Sequence, residues 1–150
     1  MKRVSDYAVK HGRTPVFWDD MVFKQVGLYA AILDQISPEQ VDSVWNVHLP
    51  ELNKHIRSFP KEVVYMRWQY GNANQPGNKK ALKWYYDNGL RVMGATAAQT
   101  TYAMMPLGGF VENIRSFQIA RKEVPVEGVL CTAWDDASPL FDTFWPGFIA

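Results

Sequence analysis

Gly12-Arg13-Thr14-Pro15-Val16-Phe17-Trp18-Asp19-Asp20-Met21 decides how the rest of the chain is read. Gly12 stops a helical stretch over 2–11, in which Val4, Tyr7 and Ala8 recur at helical spacing. The apolar run Thr14 to Phe17 is too short for a helix and reads as a buried strand over 14–18. Trp18-Asp19-Asp20 then marks the strand's carboxyl end, and a helical stretch follows over 21–33.

The same order repeats downstream. Ser37-Pro38-Glu39-Gln40 carries a cap, a proline in the first turn and a Gln three residues after the cap, which predicts a helix start. That helix is expected to stop near Val47, with a second piece over 51–58 beyond Pro50. Val63 to Trp68 is the second strand. Asn78 is expected to cap a helix that Gly89 ends. Leu90 to Ala95 is the third strand, followed by a long loop over 97–109 and a helix from Val111 to Lys122. Val126 to Ala133 is the fourth strand, and a last helix is expected near Pro139.

Four apolar strands alternating with helices predict an α/β fold with a parallel sheet. No Gly-x-Gly-x-x-Gly follows the first strand, so nothing supports a dinucleotide fold. Polar and aromatic residues gather after the strands, where (β/α)8 barrels place their sites. The expectation is four βα units of such a barrel.

Composition narrows the function. The chain has 150 residues and a net charge of +1, which favours neither nucleic acid nor an anionic membrane surface. No apolar run approaches the roughly 18 residues of a membrane span. Cys131 is the sole cysteine, so an internal disulfide is excluded, and it is expected in the core. His11, His48 and His55 lack metal-ligand spacing, and the two Asp-Asp pairs lack further ligands. No nucleophile motif is present. Six tryptophans remain to be explained. Trp45, Trp84 and Trp145 lie in helical stretches and read as packing. Trp18, Trp68 and Trp134 fall at strand ends. Trp18 and Trp134 are each followed by two carboxylates, a combination suited to stacking on a sugar ring and accepting from its hydroxyls. Asp19, Asp20 and Asp135 could equally cap the helices that follow. Arg67 alternates with Trp68 and is expected to pair with a neighbouring acid.

The stretch quoted above, with Val64-Tyr65-Met66-Arg67-Trp68-Gln69-Tyr70, Gly94-Ala95-Thr96-Ala97 and Thr132-Ala133-Trp134-Asp135-Asp136, resembles the catalytic barrel of glycoside hydrolase family 20, the β-N-acetylhexosaminidases. The resemblance runs from about residue 3 to 147 and implies strands five to eight of the barrel. It implies that residues 1–150 are a partial catalytic domain, cut at both ends and lacking the N-terminal half. It makes Trp18, Trp68 and Trp134 walls of a sugar pocket, with Asp19 and Asp20 beside the first. Tyr70, or else Tyr102, would bond the acetamido carbonyl, and Asp136 would hold ring hydroxyls. The family's general acid and orienting carboxylate form an Asp-Glu pair, which this chain lacks; the resemblance puts the pair upstream. The implied chemistry is substrate-assisted, retaining hydrolysis of terminal N-acetylhexosamine, with no metal or cofactor. A non-catalytic sugar-binding module and a self-associating half-barrel are the rival expectations.

Overall fold

The computed structural model describes residues 2–99 and 107–134. It is an α/β fold with six α-helices and a four-stranded sheet. Helix α1 (Lys2–Lys10) leads to strand β1 (Val16–Trp18). Helices α2 (Asp20–Gln25), α3 (Tyr29–Ile32) and α4 (Pro38–Lys54), with a 3-10 turn (Ile56–Ser58), precede β2 (Val64–Trp68). Helix α5 (Pro76–Asp87) leads to β3 (Arg91–Gln99), and α6 (Leu107–Glu123) to β4 (Val129–Ala133).

The strands lie in the order β1-β2-β3-β4, and every neighbouring pair is parallel. A parallel pair requires a crossover, and each of the three crossovers moves the chain one place along the sheet. Phe17, Tyr65 and Val92 are register partners on one face. They pack into the main core with Phe23, Ile32, Trp45, Leu82, Tyr85 and Phe117 from the helices. Gly94 shares that face, and a Cβ there would lie 2.6 Å from the Phe117 ring, so the helix α6 aromatic needs glycine beneath it.

The other face carries Trp18, Met66, Met93, Trp68, Ala95 and Leu130, as the register requires. Val64 and Met66 on β2 are buried there, whereas Val16, Trp18 and Leu130 on the outer strands keep 53%, 42% and 44% of their surface exposed. The sheet residues of this second face are absent from the helix-side cluster.

Several boundaries differ from those the sequence predicts. The stretch over 21–33 is broken at Gly27, whose φ of +81° is left-handed. Pro50 lies inside α4 and does not end it. Val41, Trp45 and Leu52 bury one stripe of that helix while Pro50 faces solvent, so packing along the stripe outweighs one missing N–H. Helix α5 starts at Pro76 with Gln75 as its cap. Asn78, expected as that cap, lies inside the helix and fully buried. Strand β3 runs on to Gln99, and α6 starts at Leu107, four residues before its expected start. Cys131, expected in the core, is exposed on β4, an outer strand among those described. The apolar side of α1 is exposed too, with Val4 at 64% and Tyr7 at 68%. The expected final helix and Trp145 lie outside the described residues.

Candidate functional site

Strand alternation sorts the residues at the carboxyl end of the sheet into two groups. Trp18, Trp68, Tyr70 and Trp134 go to the second face. Asp19, Arg67 and Gln69 go to the helix face.

The aromatic group is continuous. The ring centroids of Trp68 and Tyr70 are 5.2 Å apart, those of Tyr70 and Trp134 6.5 Å, and those of Trp134 and Trp18 6.1 Å. The last distance carries shape information. Trp18 ends β1 and Trp134 follows β4, the two outer strands. Three strand spacings of about 4.8 Å separate those strands, roughly 14 Å in a flat sheet. Rings that approach to 6.1 Å across that width lean toward one another over the second face of the sheet.

One hydrogen-bond chain runs through this group. The Trp134 indole N–H donates to the Tyr70 hydroxyl at 2.8 Å. Thr132, on the same face, donates its hydroxyl proton to the carbonyl of Thr96 at 2.8 Å. The Tyr70 hydroxyl accepts from Trp134 and keeps its own proton to donate. Burial pushes the Tyr70 hydroxyl above the usual phenol range, against the pull of the Thr132 and Trp134 bonds, so it stays protonated as a donor at neutral pH.

The helix-face group is a closed network. Arg67, fully buried, donates from Nη1 to Asp19 Oδ1 at 2.9 Å, from Nε to Asn78 Oδ1 at 2.9 Å and from Nη2 to the Ile32 carbonyl at 3.0 Å. The last bond satisfies a carbonyl that the end of α3 leaves without an intrahelical partner. Gln69 donates to Asp34 at 2.9 Å. Asp19 Oδ2 has no hydrogen-bond partner. Burial pushes the Asp19 carboxyl up to about 6, against the attraction of Arg67. Asp34 is likewise raised to about 6, mainly by burial.

The six expected sugar-binding residues among those described therefore divide. Trp18, Trp68, Tyr70 and Trp134 come together. Asp19 is turned away from them and held by Arg67, the acid partner expected for that arginine. Asp19 occupies the cap position of α2 without making a side-chain cap bond, and Asp20 lies half-buried in the first turn of that helix, where its charge suits the helix dipole. Trp45 and Trp84 are core residues, each 5% exposed. Tyr102, Asp135 and Asp136 lie outside the described residues. Among the described residues no group of His, Cys, Asp and Glu could hold a metal, and no helix is long and apolar enough to cross a membrane.

Thr132 and Asn113 are the residues that sequence reasoning missed. Thr132 sits in an apolar strand and carries no motif. Asn113 had one visible signal: with Ser116, it is a polar residue on the stripe where Phe110, Ile114, Phe117 and Ala120 set the buried side of α6.

Comparison with protein-family models, curated proteins and solved structures gives no match for this chain.

Proposed function

We propose that this chain forms strands five to eight of a (β/α)8 barrel and walls the sugar pocket of a β-N-acetylhexosaminidase. One observation carries the reading: Trp18, Trp68, Tyr70 and Trp134 come together in one continuous aromatic group at the carboxyl end of a parallel sheet. Sequential strand order with the helical core on one side supports the barrel. In the intact enzyme the substrate is a glycan ending in β-linked N-acetylhexosamine. Its acetamido oxygen attacks the anomeric carbon as the glycosidic bond breaks and the leaving oxygen takes a proton from the general acid of the upstream half; water then opens the oxazolinium intermediate with net retention. The tryptophans stack on the ring's C–H faces. Tyr70 donates its hydroxyl proton in a hydrogen bond to the acetamido carbonyl. Asp20 and Asp136 remain the candidates for ring hydroxyls. Asp19 serves the wall and not the sugar, because Arg67 holds it on the far side of β1.

A second reading, a sugar-binding module without catalysis, uses the same aromatic group. Both readings predict that the 150-residue chain binds N-acetylglucosamine, with Kd in the millimolar range. Titration followed by tryptophan fluorescence should show saturable binding, tighter than for glucose, and Tyr70→Phe should abolish the preference. Equal binding of the two sugars, or none, would sink the pocket assignment. Only the hydrolase reading predicts that joining the chain to an upstream half with an Asp-Glu strand end gives turnover of a nitrophenyl N-acetylglucosaminide.

A further inference from the structure

We propose that Asn113, a residue of α6 on the helix side of the sheet, is the positioning residue that fixes Tyr70 in the aromatic group. The importance of Tyr70 rests on the sugar-pocket reading above; the way Asn113 holds it does not.

Asn113 is fully buried. Its Nδ2 donates to the carbonyls of Gln69 and Gly71, both at 2.6 Å, and its Oδ1 accepts from the Ala97 N–H at 3.1 Å. Those two carbonyls lie on either side of Tyr70. One amide thus grips both flanks of this residue and ties them to β3. The amide's orientation follows from its partners, since two carbonyls require donors and one N–H requires an acceptor.

The grip matters because regular structure does not hold this segment. Strand β2 ends at Trp68 and α5 begins at Pro76. Between them the turn is anchored on α6 at two positions one helical turn apart. Asn113 holds residues 69 and 71, and Ser116 Oγ accepts from the Ala73 N–H at 2.8 Å while donating to the Asn113 carbonyl at 2.7 Å. The bond from Trp134 to Tyr70 is 2.8 Å long, and a shift of well under 1 Å in the turn would break it. Losing Asn113 would also leave two carbonyls and one N–H without partners, so the turn must move to resolvate them.

The test uses the 150-residue chain with three substitutions. Asn113→Ala removes the grip. Asn113→Asp keeps the volume and the acceptor for Ala97 but places a carboxylate oxygen against two carbonyls. Leu82→Ala is the control, a core truncation remote from Tyr70. Far-ultraviolet circular dichroism reports folding, the near-ultraviolet band of the Tyr70–Trp134 pair reports position, and N-acetylglucosamine titration reports the pocket. Both Asn113 variants should keep the far-ultraviolet signal, lose the near-ultraviolet band to the level of Tyr70→Ala, and bind the sugar about tenfold more weakly or worse. Leu82→Ala should lower the unfolding midpoint and leave band and affinity at wild-type values. A wild-type band in either folded Asn113 variant overturns the proposal, and so does an equal loss in Leu82→Ala. Failure of both Asn113 variants to fold also counts against it, because the residue would then serve the whole fold. If the wild-type chain takes up no sugar, the pocket reading falls and the near-ultraviolet band alone decides the role of Asn113.

Discussion

Arg67 and Trp68 are neighbours in sequence and end on opposite faces of β2. The Arg67 side is fully buried and polar, with three hydrogen bonds to an acid, an amide and a helix-terminal carbonyl. The Trp68 side is aromatic and partly open, with its rings linked by tilted contacts and one indole hydrogen bond. The difference separates what ties the sheet to its helices from what the proposed sugar pocket would use. A buried charge constrains its surroundings because leaving it unpaired is costly, whereas half-exposed rings constrain little and remain free to bind. The two faces should therefore respond very differently to substitution.

The largest effect on stability is expected at Arg67. Arg67→Ala leaves the Asp19 carboxylate buried without its cation and the Asn78 Oδ1 without its donor, and leaves the Ile32 carbonyl only a long bond from Gln69 at 3.5 Å. Breaking a buried pair by removing one partner costs about 3–5 kcal/mol. Urea denaturation of the variant should show a loss of that size. A loss under about 1 kcal/mol would mean that water reaches the network and that the contrast between the faces is illusory.

The alternation that creates this contrast also marks how far the sequence could be read. The parallel sheet was legible because the strands are short apolar runs between helical stretches. The aromatic group was legible because Trp18, Trp68 and Trp134 end three of those strands. Asp19 was not, because a carboxylate after a strand-end tryptophan looks the same whether it turns to a ligand or to an arginine. Its place depends on a residue 48 positions away. Pro50 failed for a related reason: a local rule ends the helix there, and the distant packing of Trp45 and Leu52 overrides it. Asn113 acts on Tyr70 across 43 positions, with no local motif to announce it.

An intermediate effect should come from pH. Burial holds the folded-state Asp19 carboxyl at about 6, above its ordinary value of 3.8. The folded protein therefore binds this proton more tightly than the unfolded chain. The resulting stability is fully present below the unfolded value and is lost as pH rises through about 6, with no further change above. The shift corresponds to about 3 kcal/mol at most. Asp34 acts in the same direction. Glu51 and Glu127 are lowered by their bonds to Lys54 and Arg91 and act in the opposite sense at lower pH, so the useful quantity is a difference. Wild-type stability should fall relative to Asp19→Asn between about pH 4 and 6. A difference that rises over this range would show Arg67 holding the carboxylate ionised. The aromatic face should be silent here, because Tyr70 is shifted upward, away from this range.

The smallest effect on stability is expected at Trp134, although the residue is as large as the core tryptophans. Its side chain is 37% exposed, against 5% for Trp84, which also bonds Asn53 from within the helix layer. Truncating a buried tryptophan costs about 3–5 kcal/mol, through lost transfer energy and the cavity left behind. Trp134→Ala leaves no closed cavity, because the ring already borders solvent. It removes ring contacts with Trp18 and Tyr70 and one neutral hydrogen bond. A neutral hydrogen bond contributes about 0.5–1.5 kcal/mol net, and the half-buried Tyr70, uncovered by the truncation, can replace the lost donor with water, which places the expected loss at or below about 1 kcal/mol. The same substitution should remove sugar binding, since it takes away one ring of the proposed pocket. Trp134→Ala compared with Trp84→Ala, by denaturation and by N-acetylglucosamine titration, should thus show the two effects in opposite order. A Trp134→Ala variant destabilised as much as Trp84→Ala would place Trp134 in the core, and the second face would then be a packing surface and not a pocket wall.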